Sequence, residues 1–178
     1  PSPDEIVTSG SLAEIVKWTT RVERSGDGWD LDRGVLAFGG EYPGAADVRG
    51  LHIQGQLAEV DLQEWLALAR RESTGAGLGE RIRSIDIGVA EFDAVGQRFV
   101  DHRLQVNRSG QDWLINIAGA EADGSVTVPY DFAGGRPITL DMARLVLPGN
   151  DEADGAAPPI DPRSLPAIAI TANEFGLG

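Results

Sequence analysis

The stretch Gly50–Arg71 reads GLHIQGQLAEVDLQEWLALARR and changes its hydrophobic period halfway along. In its first half, Leu51 and Ile53 alternate with polar residues as far as Leu57. A period of two residues is typical of a strand with one buried face. The stretch therefore begins with a predicted strand.

The second half of the stretch has helical spacing. Asp61 is a favourable N-cap, and Glu64 completes a capping box with it. The apolar residues that follow fall on one helical face, namely Leu62, Trp65, Leu66 and Ala69. An amphipathic helix must pack on something. The sequence predicts one short α-helix, from Asp61 to Arg71, lying on a sheet.

The rest of the chain predicts strands separated by turns. With 23 glycines and 10 prolines among 178 residues, the composition favours β structure with many turns. The further predicted strands are residues 4–9, 12–24, 29–39, 81–95, 99–108, 112–117, 125–129, 137–147 and 165–171. Short connections favour antiparallel pairing of neighbours. The predicted fold class is mostly β, an antiparallel sheet with one short α-helix packed on it.

The composition also excludes several functions. The chain has no cysteine, so disulfides and thiolate metal sites are impossible. Its net charge of −13 argues against nucleic acid as a partner and against simple attraction to an anionic membrane surface. No apolar run approaches the ~18–20 residues of a membrane helix.

Residues 148–163 differ from the rest, because they are acidic and proline-rich and have no periodicity. We predict a flexible loop here. Its oxygen-bearing side chains loosely imitate a calcium loop, namely Asn150, Glu152, Asp154 and Asp161. Four other carboxylates could form a glycosidase-like pair, namely Asp86, Glu91, Asp93 and Asp101. A calcium- or carbohydrate-binding surface module is thus one alternative, although a solvated linker and chance pairing explain both patterns more simply.

Neither histidine predicts a site. His52 lies on the polar side of its strand, as an exposed surface histidine would. His102 shares the alternation of Val100, Leu104 and Val106, which indicates a hydrogen-bonded core histidine. No nucleophile motif is present, and we predict no catalytic residue, no metal site and no cofactor.

The last predicted strand, residues 165–171, is apolar on both faces, which implies cover on each side. A single short helix cannot supply all of that cover. The sequence therefore predicts more apolar sheet than the helix shelters, and a second layer, a partner chain or an apolar ligand would cover the remainder.

An ordered set of motifs resembles a known family. Gly55-Gln56-Leu57 followed by Asp61-Leu62-Gln63-Glu64-Trp65 is similar to the strand-then-helix unit of the large AsmA-like proteins of the YhdP branch. The motifs that follow in the same order are Val89, Phe92 and Phe99, then Asp112-Trp113, then Gly124-Ser125-Val126 with Pro129, then Asp161–Pro166. The resemblance spans about residues 10–178.

The resemblance implies a non-enzymatic envelope protein. Such proteins cross the periplasm, are anchored to the inner membrane by a segment that this sequence lacks, and are built as a long curved β-groove with an apolar concave face. They are implicated in moving phospholipid between the inner and outer membranes and in the outer-membrane permeability barrier. The chain would then be a single periplasmic slice of that groove. Its partners would be phospholipid acyl chains and the adjoining segments of the same protein.

The groove needs aliphatic side chains on one sheet face. The alternating sets that would line it are Leu51 and Ile53; Ile85, Ile87 and Val89; Ile115 and Ile117; Val126 and Val128; Ile138 and Leu140; and Ile168 and Ile170. Ordinary core packing is the alternative role for each of them. A ligand-free structural module of an envelope protein is the corresponding alternative for the chain.

Overall fold

The computed structural model describes residues 4–44, 46–61, 81–94, 97–130, 135–147 and 167–177, and they form strands and connections with no helical element among them. The strands are β1 (Glu5–Leu12), β2 (Val16–Ser25), β3 (Gly28–Phe38), β4 (Gly50–Asp61), β5 (Ile82–Ala94), β6 (Gln97–Ser109), β7 (Asp112–Ala118), β8 (Ala122–Pro129), β9 (Ile138–Leu147) and β10 (Ile168–Leu177). All ten predicted strands are present. They form one sheet, in which their order in space is their order in sequence.

The sheet is mixed, whereas we predicted an antiparallel sheet. Strands β1 to β3 pair antiparallel, as do β6 to β9. Strand β4 runs parallel to β3, and β10 runs parallel to β9. Parallel neighbours need a connection long enough to return the chain to the starting end of the sheet. Residues 39–49 and the long segment between β9 and β10 supply those connections.

Two of our predictions lie outside the described residues. The first is the short helix predicted from Asp61 to Arg71, and Asp61 itself is the last residue of β4. The flexible acidic loop of residues 148–163 is the other. Neither prediction is tested by the structure.

The chain divides into two compact units. The first comprises Pro1–Leu57 and Glu64–Gly88, and the second comprises Ala58–Gln63 and Val89–Gly178. We call them unit 1 and unit 2.

In unit 1, the connection between β3 and β4 covers one face of the sheet. The hydroxyl of Thr19 donates a hydrogen bond to the carbonyl oxygen of Pro43 at 3.0 Å, and Lys17 Nζ donates to that of Gly40 at 2.6 Å. Beneath this connection Val35 and Ala37 are buried. The other face carries the cross-strand row Gly10, Trp18, Leu36 and Ile53. The core of unit 1 therefore draws apolar residues from both faces.

In unit 2, an aromatic cluster forms the centre of the core. The rings of Phe92 and Phe99 are 6.2 Å apart, and Phe99 meets the edge of His102 at 5.6 Å. Leu104 and Met142 are buried with them. The predicted core histidine is thus confirmed at His102.

We predicted that Val100 and His102 lie on the same face of β6, and this was wrong. Asp101 has a φ of 53°, which interrupts the alternation of β6. Val100 is consequently exposed, whereas His102 is buried. A left-handed residue inside a strand acts like a bulge, and nothing in the local sequence announced it.

Two strand predictions also need correction. The predicted strand of residues 12–24 is interrupted after Leu12, where Ala13 and Glu14 adopt positive φ and turn the chain into β2. Strand β10 was expected to be covered on both sides, yet most of its residues are exposed. The reason is its position, because β10 is the last strand of the sheet and has β9 as its neighbour.

Candidate functional site

Unit 2 carries a row of aliphatic side chains that crosses five strands. The strand register places its members opposite one another: Val106, Ile115, Val126, Leu140 and Ile170. Directly opposed residues lie on the same face of a sheet. We call this row the central row.

A second row flanks the central row on the same face. It contains Leu104, Ile117, Gly124, Met142 and Ala172, in register across the same strands. On the other side of the central row, Arg108 opposes Trp113, which opposes Val128, and Ile138 opposes Ile168. We call the face that carries these three rows the apolar face. It brings together eight of the predicted groove residues, namely Ile115, Ile117, Val126, Val128, Ile138, Leu140, Ile168 and Ile170.

The reverse side of the same strands is mostly polar, although it also carries Leu114 and Ala169. One of its rows contains Gln105, Asn116, Ser125, Asp141 and Thr171, again in register. This sheet is therefore amphipathic across five strands, as expected for a sheet with one face in contact with water and the other in contact with something apolar.

The apolar face is unevenly covered within the described part of the chain. Met142 is 2 % exposed, whereas Ile168 and Ile170 are 54 % and 59 % exposed. The central-row residues Ile115, Val126 and Leu140 are half-buried. A contiguous apolar surface of this kind is typical of a binding site.

Four of the five remaining predicted groove residues are packed more tightly. Leu51, Ile53 and Ile87 are buried in unit 1, and Val89 is buried in unit 2, as ordinary core residues are. Ile85 is half-buried, like the central-row residues of β7 to β9. The structure therefore separates a buried group of four from the more open members of our predicted set.

The positively charged side chain of Arg108 lies at one corner of the apolar face. The guanidinium carbon of Arg108 is 4.8 Å from the centre of the Tyr130 ring and 5.2 Å from that of Trp113, and Nε donates a hydrogen bond to the Tyr130 hydroxyl at 2.6 Å. The two rings meet edge to face at 5.4 Å. We call these three residues the Arg108 cluster. All three side chains are half-buried, so the cluster is partly open to solvent.

Our sequence reasoning missed this cluster. The alternation of Leu104 and Val106 continues to Arg108, so its position on the apolar face could have been inferred. What could not be inferred is that Tyr130, which follows the end of β8, lies beside it. A hydrogen bond from the backbone N–H of Tyr130 to the carbonyl oxygen of Gln111 extends the pairing by one residue and places it there.

The residues singled out for other chemistry do not assemble into a site in the described part of the chain. Arg98 bridges Glu91 and Asp93, at 3.4 Å and 3.0 Å, so these carboxylates form an ion-pair group. His52 is half-buried and lies 2.7 Å from the hydroxyl of Ser84. No group of three potential metal-ligating side chains occurs among the described residues.

The strongest electrostatic feature of unit 1 is the buried carboxylate of Asp32. It pairs with Arg33 Nε at 2.7 Å and with Arg49 Nε at 2.8 Å. The hydrogen bond from Arg33, together with the positive charges of Arg33, Arg49 and Arg21, holds the pKa of Asp32 below its usual value, although burial opposes this. The ion pair with Arg49 joins β3 to the residue that immediately precedes β4.

Comparison with known proteins identifies one family. The family profile described as YhdP protein matches residues 3–178. No curated protein matches the chain. Among the described residues, no helix has the length and hydrophobicity needed to cross a membrane.

Proposed function

The chain belongs to the YhdP family, and on that premise we propose that it is a non-enzymatic segment of an envelope lipid-transport protein. Its apolar face would hold the acyl chains of phospholipids that pass through the periplasm between the inner and outer membranes. The full-length protein would be anchored to the inner membrane and would support the permeability barrier of the outer membrane.

The observation that supports this proposal is the amphipathic sheet of unit 2. Five strands present aliphatic residues in register on one face and polar residues on the other. Transfer of each methylene from water to an apolar surface is worth about 0.8 kcal/mol, so even partial cover of an acyl chain favours binding. A continuous row binds every part of an acyl chain in a similar way, which suits a lipid that must move along the surface.

Movement of a lipid along such a face requires no covalent step. The free energy comes from burying methylenes, and the surface needs only to stay apolar and continuous. The half-buried state of Ile115 and Leu140 suits this role, because a fully sealed side chain could not contact a ligand.

A ligand-free structural module is the second candidate, and one observation favours it. Leu51 and Val89 are each only 2 % exposed, as in an ordinary core. If every predicted groove residue behaved in this way, the aliphatic pattern would serve folding alone. The exposed residues of β10 argue against a core role for every predicted groove residue.

The proposal can be tested with neighbouring residues that face opposite sides of one strand. A photo-crosslinking amino acid would replace Leu140 on the apolar face or, as the matched control, Asp141 on the polar face. Each variant would be expressed in the periplasm of a Gram-negative host whose phospholipids carry radiolabelled phosphate. We expect lipid adducts at position 140 and none at position 141. Equal labelling of both positions, or of neither, would overturn the proposal, and labelling of neither would favour the structural module.

A further inference from the structure

Strands β9 and β10 form a ladder of paired residues on the apolar face, and one rung of this ladder is charged. Because the strands are in register and side chains alternate between faces, every second pair lies on that face. Four of the five described rungs there are apolar, namely Ile138–Ile168, Leu140–Ile170, Met142–Ala172 and Val146–Gly176. The remaining rung, Arg144–Glu174, lies between the last two of these.

The charged rung is an exposed ion pair. Nε of Arg144 donates a hydrogen bond to Oε2 of Glu174 at 2.9 Å, and Nη1 donates to the carbonyl oxygen of Ala120 at 3.5 Å. The two side chains are 49 % and 60 % exposed. An exposed ion pair contributes little to stability, so stability gives only a weak reason for a charged rung in an apolar ladder.

We propose that the Arg144–Glu174 pair binds the zwitterionic headgroup of an ethanolamine phospholipid, one acyl chain of which lies along β9 and β10. This inference rests on the function proposed above and adds to it a headgroup class and an orientation for the lipid. The phosphate lies at the guanidinium of Arg144, and the ammonium group lies at the carboxylate of Glu174.

Charge complementarity favours a zwitterion over an anionic headgroup. Arg144 and Glu174 present a positive and a negative group side by side, and phosphoethanolamine carries one charge of each sign, joined by a two-carbon link. The chain has a net charge of −13, which repels a headgroup that is negative overall. A zwitterionic headgroup adds no net charge to that field, and each of its two charges meets an opposite one.

The hydrogen-bonding groups of the pair favour a primary ammonium group over a choline. The guanidinium of Arg144 has five N–H donors in a planar fork that matches phosphate oxygens, and two of them lie on Nη2, beyond the contacts described above. The carboxylate of Glu174 accepts about four hydrogen bonds, and an ammonium group donates three. The quaternary nitrogen of choline donates none, so it gains the charge interaction alone.

The dimensions of the ladder suit an acyl chain. Strand β10 runs six residues from Ile168 to Glu174, a distance of about 20 Å. An acyl chain in a bilayer spans about half of the ~30 Å hydrocarbon core. Ile168 and Ile170 are 54 % and 59 % exposed, so a chain that begins beside Ala172 has apolar surface to cover along its whole length.

Three lysophospholipids with the same lauroyl chain separate the headgroup from the tail. Isothermal titration of the 178-residue protein would compare the ethanolamine, glycerol and choline lipids as monomers, with phosphoethanolamine as the tail-free probe. We expect the ethanolamine lipid to bind at least about threefold more tightly than the other two, and the tail-free probe to bind most weakly. Equal affinity for the three lipids would overturn the headgroup assignment. So would a tail-free probe that binds as tightly as the ethanolamine lipid, because the pair would then be a site for a free phosphate ester.

The substitution Glu174→Gln tests the charged pair directly. It removes the partner of the ammonium group and one negative charge, so the ratio of the ethanolamine-lipid affinity to the glycerol-lipid affinity should fall about fivefold. The matched control is Asp30→Asn, which removes one negative charge from another exposed ion pair, with Arg81 at 2.8 Å in unit 1. The control should leave the ratio unchanged. A fall in both variants, or in neither, would overturn the assignment.

A purely structural role for the pair gives a different result. If the pair only holds β10 against β9, Glu174→Gln should weaken the binding of all three lipids in parallel and leave their ratios unchanged, which would overturn the headgroup assignment. If that variant fails to fold, the comparison of the ethanolamine and choline lipids in the wild type still decides, because it requires no substitution. Equal binding of those two lipids would remove the ammonium group from Glu174 and overturn the assignment.

Failure of the two proposals can be told apart. If the wild type binds none of the three lipids, the proposed function fails, and the headgroup assignment fails with it. If it binds all three equally, the apolar face still binds tails, and only the headgroup assignment is overturned.

Discussion

Nε2 of His102 accepts a hydrogen bond from the backbone N–H of Ala122 at 3.3 Å, and Nδ1 of the same ring lies 2.9 Å from the carbonyl oxygen of Val100. Because Nε2 must be the acceptor in the first contact, the neutral ring carries its proton on Nδ1 and donates it in the second. His102 thereby ties the start of β8 to β6 in the interior of unit 2. This is the hydrogen-bonded core histidine that the sequence predicted.

We predict that His102→Leu destabilises the protein by about 2–3 kcal/mol, because the buried N–H of Ala122 and the part-buried carbonyl of Val100 both lose their partner. Urea denaturation measures the change. The control is His52→Leu, since His52 is only half-buried and should cost less than about 1 kcal/mol. Equal costs for the two variants would contradict the assignment of His102.

The ring of Trp18 occupies the space in which a side chain at Gly10 would lie, and the two residues are opposite one another in β1 and β2. We therefore expect Gly10→Ala to displace the ring and to cost about 1–3 kcal/mol. The control is Gly28→Ala, because the nearest atom to an added methyl group there is 3.8 Å away. Thermal unfolding followed by tryptophan fluorescence would report both changes. A stable Gly10→Ala variant with unaltered fluorescence would show that this close approach is not required.

The sequence predicted the elements of this fold much better than their directions. Alternation of apolar and polar residues located most of the strands, because burial of one sheet face leaves a period of two whatever the neighbours are. The last strand was located by a run that is apolar on both faces. The same alternation cannot distinguish a parallel neighbour from an antiparallel one, so the pairs β3–β4 and β9–β10 were predicted wrongly. Irregular backbone at Ala13 and Asp101 was also missed. Alanine is not a typical turn former, and Asp101, although aspartate tolerates a positive φ, lies inside an alternating strand pattern.

The apolar face could be predicted in part. Alternation selected Ile115, Val126 and Leu140 individually, yet only the register shows that they form one row. Exposure could not be predicted, since Ile87 and Ile170 were both predicted to line the groove but have opposite environments. Burial of a strand face depends on its position in the sheet and on what packs over it, and neither is a local property of the chain.

Lowering the pH should reduce the unfolding free energy of unit 1, because the carboxylate of Asp32 becomes protonated. The hydrogen bond from Arg33 holds the folded-state pKa of Asp32 below the ordinary value. At pH values between that folded-state pKa and the higher unfolded-state pKa, the folded state therefore binds fewer protons than the unfolded state. The resulting stabilisation is complete above the unfolded pKa of about 3.9 and is lost as the pH falls through the lower folded pKa. We predict that the difference in unfolding free energy between wild type and Asp32→Asn is constant near neutral pH and shrinks below about pH 4.

Salt provides the control for that prediction. The pKa of Asp30 is also lowered, chiefly by its hydrogen bond to Arg81, but this pair is exposed. Added salt screens exposed charges far more than buried ones. The difference between wild type and Asp30→Asn should therefore shrink in salt, whereas that for Asp32→Asn should persist. The same salt response at both positions would show that Asp32 behaves as a surface charge.

A charge introduced at a predicted groove residue should destabilise the protein where the residue is buried and should be tolerated where it is exposed. Ile87 is 4 % exposed, so Ile87→Asp buries an unpaired carboxylate and should cost at least about 3 kcal/mol. Ile170 lies on the open strand β10, where Ile170→Asp should change stability by no more than about 0.5 kcal/mol. Thermal unfolding followed by circular dichroism would measure both. If Ile170→Asp unfolded the protein, β10 would belong to a closed core. If it folds as expected, the carboxylate remains in water until an acyl chain covers it, so loss of lipid binding in that variant can be attributed to the face itself.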